Sequence, residues 1–217
     1  MSTMEKSPLK FSFILMAGIS VLSGVVLTML FLSANALTVE SLRNDSFFVY
    51  DTPRALEPFS LTDDAGEAFT NANLQGHWTA VFFGYTFCPD ICPLTMASMK
   101  QFYDLLSAQG EDTDFQVVMI SVDPERDTQE VLSNYVKYFN PAFIGVTGEY
   151  APIYTLARQM NITFNYVAMN DDNYLVNHNG EVMLIDPQGN NAGFFKPPYQ
   201  PEPMLENFLA VKKFLSR

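Results

Sequence analysis

The chain has 217 residues, two cysteines, two histidines and a formal charge of −12 from 12 basic and 24 acidic side chains. That acidic balance excludes a nucleic-acid binder, which needs a basic footprint. A hydrophobic content of 48%, with 14% aromatic, excludes a disordered chain, and two cysteines are too few for a disulfide-stapled secreted scaffold.

Residues 1–10 form a short tail carrying Lys6 and Lys10, and residues 11–32 (FSFILMAGISVLSGVVLTMLFL) carry no charge. At ~1.5 Å per residue the segment reaches about 33 Å, enough to cross a hydrocarbon core of about 30 Å. The positive flank predicts that the tail stays in the cytoplasm and the rest is exported. Two readings stay open: an uncleaved single-pass anchor, which the length favours, or a signal peptide cut at Ala34-Asn35-Ala36. No cysteine lies nearby, which excludes a lipoprotein anchor. Residues 33–54 are polar and poorly periodic and read as a linker, leaving residues 55–217 as one domain. Residues 33–217 carry 10 basic and 23 acidic side chains, a charge of −13.

Residues 59–61 and 68–70 read as a hairpin around Asp63-Asp64-Ala65-Gly66. Residues 78–85 (WTAVFFGY) are a continuous apolar run, as expected of a strand buried on both faces. Residues 93–106 have helical spacing with Pro93 at the first turn. A second buried strand follows at 115–122 (FQVVMISV), then a helix at 128–139 capped by Asp127 or Thr128. A short strand at 143–146 and a helix at 150–160 come next. Residues 164–167 and 181–185 look like paired strands, with a turn at 186–189, a strand at 192–195 and a closing helix at 204–215. Strands alternating with helices, then a hairpin, predict an α/β fold with a mixed sheet. In such sheets the working site lies beyond the carboxyl ends of the strands, so the residues after Tyr85 are the place to look.

Both cysteines are there, four apart, in Phe87-Cys88-Pro89-Asp90-Ile91-Cys92-Pro93. A residue before proline avoids the α region, so both are expected outside regular helix, with Cys92 at the lip of the helix that Pro93 starts. Backbone N–H groups at that terminus favour thiolates, the form that binds metal or attacks a disulfide. A plain stabilising disulfide would close so small a loop that it removes little unfolded-state entropy. Of the histidines, His77 precedes the strand 78–85, about 26 Å long at ~3.3 Å per residue, and is expected in a loop at the far end. His178 falls in a polar turn (residues 174–180) and is either solvated or a ligand. Two thiolates and an imidazole suit Cu(I), Cu(II) or zinc, whereas a redox pair needs no histidine.

The run Phe83-Gly84-Tyr85-Thr86-Phe87-Cys88-Pro89-Asp90-Ile91-Cys92-Pro93 resembles the signature of the Sco/SenC family, copper-binding assembly factors of cytochrome c oxidase. Ser121-Val122-Asp123-Pro124-Glu125-Arg126-Asp127-Thr128 resembles its second block. Tyr174-Leu175-Val176-Asn177-His178, followed by Leu184-Ile185-Asp186-Pro187-Gln188-Gly189, resembles its histidine block. The resemblance runs over about residues 55–215 and includes the N-terminal anchor. It implies a thioredoxin-like fold, copper held by Cys88, Cys92 and His178, and Asp123 as an acidic group beside the site. It further implies an inner-membrane protein with its C-terminal domain in the periplasm or the mitochondrial intermembrane space. The implied partner is the copper-bearing subunit of the oxidase, with the copper donor unidentified. Many members carry histidine at the position of Phe87, which is not one of the three ligands. The rival reading is a thiol–disulfide oxidoreductase in which Cys88 and Cys92 cycle between dithiol and disulfide. A sensor with no delivery role is a third. Of the methionines, Met169 stands out as one further thioether to examine for copper.

Overall fold

The computed structural model describes residues 21–29, 38–170 and 173–216. The chain divides into two units, residues 1–38 and 39–217. In the first, residues 21–29 are helical, with the Thr28 hydroxyl donating to the Gly24 carbonyl at 2.8 Å. The remainder of the expected anchor at 11–32 lies outside the described residues. No helix among the described residues is long and apolar enough to cross a membrane.

The second unit opens with a short helix α1 (Val39–Leu42) and strand β1 (Phe47–Arg54). This strand corrects the expectation of a linker over 33–54. Phe47, Val49 and Tyr50 are buried, and β1 pairs antiparallel with β10 (Asn191–Phe195), Phe47 opposite Phe195. Arg43, Asp51 and Arg54 surround that apolar core because β1 is an edge strand, where charge is tolerated and protects against further pairing. The hairpin β2 (Ser60–Asp63) and β3 (Ala68–Thr70) lies at the other edge. The order across the eight-stranded sheet is β1-β10-β9-β4-β5-β6-β2-β3.

The centre holds β4 (Trp78–Gly84), buried at every residue, beside β5 (Phe115–Ser121) and β9 (Val182–Ile185). β4 and β5 are parallel and run in register from Trp78 opposite Phe115 to Gly84 opposite Ser121. Both strands therefore release their following loops at one end of the sheet. β9 is antiparallel to β4 with Val182 opposite Phe82, so the residues before β9 arrive at that same end. β6 (Ile144–Thr147) continues the parallel pairing. Helices α2 (Ile91–Ala108), α3 (Gln129–Phe139), α4 (Tyr150–Gln159) and α5 (Pro201–Leu215) complete the domain. The rings of Phe102 on α2 and Phe208 on α5 meet Phe115 at 5.3 and 5.0 Å, and Trp78 meets Phe208 at 5.6 Å, closing the core on one side of the sheet.

Two further expectations are corrected. Helix α2 begins at Ile91, not Pro93, so Cys92 lies inside its first turn. Pro93 is the third helical residue, where no intrahelical N–H is needed, and its ring costs no hydrogen bond. Residues 164–167 do not pair with 181–185. β7 (Phe164–Asn170) pairs with β8 (Asn173–His178) in a separate two-stranded ribbon, while β9 joins the main sheet.

Candidate metal centre

Beyond β4, Tyr85 stays buried, and its carbonyl accepts the Cys88 N–H at 3.3 Å, which turns the chain back toward α2. Asp90 sits at the helix N-cap without a side-chain capping bond. The Cys92 N–H, one of the free first-turn donors, instead points to the Cys88 sulfur at 3.4 Å. Cys88 is half-buried, Cys92 fully buried, and both are free thiols.

His178 comes from the last residue of β8, opposite Phe164, rather than from the expected turn. In β8 the side chains of Tyr174, Val176 and His178 share one face, which explains how a polar-looking segment delivers an imidazole inward. The ring packs edge-on against Phe82 and Tyr85, with centroids 5.8 and 6.1 Å away. Its Nδ1 is 2.7 Å from the Asn179 carbonyl oxygen. A carbonyl only accepts, so Nδ1 carries the proton and Nε2 presents a lone pair. Nε2 lies 3.4 Å from the Cys92 sulfur. The Cys88 Sγ, Cys92 Sγ and a His178 ring nitrogen all fall within 4.8 Å of one another.

The two thiols titrate apart. A hydrogen bond from the Cys92 thiol, against the opposing pull of burial, holds Cys88 well below the ordinary thiol range. Cys92 moves strongly upward because it donates to Cys88 and because it is buried. The pair thus shares one proton at neutral pH. That proton sits between the ligand atoms, where a soft cation would replace it. Two sulfurs and an imidazole nitrogen are a donor set matched to copper.

Asp123 is fully buried in the loop after β5 but bonds outside this triangle. Its carboxylate accepts from Arg126 Nε at 2.5 Å and from the Tyr174 hydroxyl at 2.6 Å. Arg126 Nη1 also donates to the Tyr174 carbonyl at 3.1 Å, and the guanidinium lies 3.7 Å from the Tyr174 ring. The loop is therefore clasped to the ribbon that carries His178. Two more bonds hold the ribbon: the Tyr166 hydroxyl to the Val122 carbonyl, 2.8 Å, and the Val176 N–H to the Tyr85 hydroxyl, 3.3 Å. Asp127 does not cap α3; Thr128 does, accepting from the Val131 N–H. The Asp127 carboxylate instead takes the Thr86 hydroxyl and the Ser121 hydroxyl, each at 2.6 Å, and the Thr86 N–H. Burial raises its pKa against those bonds. It fixes the loop leading to Cys88. Arg126, Tyr174, Tyr85 and Asp127 escape a reading of the sequence for ligands, although Arg126 and Asp127 lie in the block around Asp123.

His77 lies at the other end of β4, its ring 2.9 Å from the Asn73 carbonyl, away from the site. Met169 is exposed on β7, five residues past Phe164. Along a strand that is about 16 Å from the residue facing His178, too far for a shared ion.

A mixed sheet with helices on it, and two thiols and an imidazole at the end of its central strands, defines a thioredoxin-like protein with a soft-metal site. The SCO1/SenC family profile matches residues 50–213, and the chain belongs to that family. It is 36% identical over 162 residues to the mitochondrial SCO1 homolog 1 of Arabidopsis thaliana, spanning 72% of this chain and 48% of that protein. It is 36% identical over 153 residues to an SCO2-like protein of Rickettsia prowazekii, spanning 70% of this chain and 74% of the relative. The chain thus covers about half the length of the plant relative. The crystal structure of Arabidopsis thaliana ScoI with copper bound superposes with a TM-score of 0.68 at 34% identity, covering 72% of this chain and 98% of that one.

Proposed function

We propose that this chain is a membrane-anchored copper chaperone. It holds one copper ion on Cys88, Cys92 and His178 and passes it to the dinuclear copper centre of cytochrome c oxidase, with residues 11–32 as the anchor and the domain on the periplasmic or intermembrane-space side. The observation that carries the reading is the convergence of two sulfurs and a ring nitrogen within 4.8 Å, the nitrogen with its lone pair free. Copper enters as cargo. Its uptake releases the proton shared by the thiols, and it leaves by ligand exchange, with the half-exposed Cys88 as the sulfur an acceptor reaches first. Asp123 acts from outside the ligand set by keeping the ribbon docked. The test is copper per chain and the thiolate-to-Cu(II) absorption of the reconstituted full chain. One ion per chain is expected, with His178→Ala losing the absorption and most of the affinity, and Cys88→Ser or Cys92→Ser losing the ion. Unchanged colour and stoichiometry in His178→Ala would remove the histidine from the ligand set.

One observation favours a second reading, thiol–disulfide exchange. The pair combines a half-exposed, thiolate-favouring Cys88 with a buried, protonated Cys92, which suits an attacking and a resolving thiol. A pure reductase keeps its activity in His178→Ala, whereas a copper carrier fails.

A further inference from the structure

Several of the large apolar side chains that the domain leaves exposed lie beside the metal centre. Phe87, 56% exposed, and Leu94, 59% exposed, flank Cys88 together with Ile91. The band then continues without a gap. The Arg126 guanidinium lies 5.1 Å from the Phe87 ring and 3.7 Å from Tyr174; Tyr174 meets Tyr166 at 5.3 Å, and Tyr166 meets Tyr150 at 6.1 Å. Tyr150, Tyr166 and Tyr174, with Pro124 and Glu125, line a cleft of about 400 Å³. A run of exposed apolar and aromatic side chains bordering a metal centre, with a cleft at its end, has the character of an interaction face.

Charge says what covers it. Asp90, Glu125 and Glu149 are exposed along the edge of the band. The cation within it, Arg126, is committed to Asp123 and Tyr174. Residues 33–217 carry −13. A second copy of this chain would bring the same acidic edge against itself and be repelled.

The geometry points to a docking surface around Cys88 for a protein whose metal-exchanging face is apolar at its centre and ringed by lysine or arginine. This rests on the copper-carrier reading, since the surface encloses the sulfur from which the ion would leave. The tyrosine cleft takes a bulky apolar side chain of the partner, and Glu125 and Glu149 pair with its basic rim. Such complementarity acts mainly on encounter rate and on the rejection of wrong partners.

The test uses the full chain in non-ionic detergent and a fluorescent probe peptide of leucine, phenylalanine and lysine, with empty micelles as blank. A peptide with glutamate in place of lysine is the control. The lysine peptide should bind, more weakly as salt rises, and lose about tenfold in affinity with Leu94→Gln plus Tyr150→Ser, and again with Glu125→Lys plus Glu149→Lys. Copper per chain should not change in either variant. Equal binding by wild type and both variants, or equal binding of the glutamate peptide, overturns the proposal. Concentration-dependent dimerisation in sedimentation that Leu94→Gln abolishes overturns it in favour of a second copy. If wild type takes up no copper but the peptide results hold, the carrier reading falls and the docking surface stands.

Discussion

Arg126 bonds to both the loop after β5 and the ribbon that brings in His178, and it faces a carboxylate with no solvent exposure. Arg126→Met leaves Asp123 buried without its cation, a loss expected to cost about 3 kcal/mol in urea unfolding. The same variant should weaken copper binding although no ligand is touched, because the ribbon is held by fewer bonds; unchanged affinity would show that the clasp serves stability alone. The ligands themselves carry a pH signature. With Cys88 held low and Cys92 held high, the metal-free site keeps one thiol proton through neutrality and must release it when both sulfurs bind. Protons then compete with copper: affinity for Cu(I) rises about tenfold from pH 7 to pH 8 and falls by the same factor on the way back. A flat profile in a competition titration would mean that only one sulfur binds or that both are already ionised. The three residues that converge at the site were legible in the sequence because the Cys-x-x-x-Cys spacing is local and His178 belongs to a block that resembles the family's. The clasp was not. Arg126 and Tyr174 stand 48 positions apart and meet only through the register of the ribbon.

At the level of elements, two strands hid in plain residues. β1 was hidden because its apolar core, Phe47 to Tyr50, is short and set among charges that an edge strand tolerates. β8 was hidden because only alternate residues face inward, and those include a tyrosine and a histidine. The central strands β4 and β5 were legible as unbroken apolar runs, since strands buried on both faces have no polar alternation to confuse them. The join between β1 and β10 makes a further demand. A Cβ on Gly193 would stand 2.2 Å from the Phe48 carbonyl oxygen and 3.0 Å from the Val49 Cα, both backbone atoms that cannot rotate away. Gly193→Ala must therefore push β1 off its partner, at a cost of about 3 kcal/mol. In hydrogen exchange, the amides of residues 47–49 should lose protection while those of residues 78–84 keep theirs. Protection of 47–49 at the wild-type level would show that the two strands have room to separate without unpairing.

For the whole molecule, the consequence of the ligand arrangement is a coupling between copper and folding. Cys88 and Cys92 lie in one short segment, so the unfolded chain can still offer both sulfurs to an ion. A ligand that binds native and unfolded chains alike stabilises neither. His178 comes from a ribbon outside the main sheet, 86 positions downstream, and meets the sulfurs only when β8 is docked. On the proposed ligand set, His178 is therefore the group that would make copper a folding ligand. At a free Cu(I) concentration about 1,000 times the dissociation constant, the wild-type protein should gain up to about 4 kcal/mol, less whatever the two sulfurs retain in the unfolded state. His178→Ala, compared at full copper loading, should show a much smaller rise in its unfolding midpoint even though the ion is bound. Equal copper-induced shifts in the two proteins would mean that the cysteine pair alone distinguishes the folded chain from the unfolded one, and that the ribbon contributes nothing to the grip.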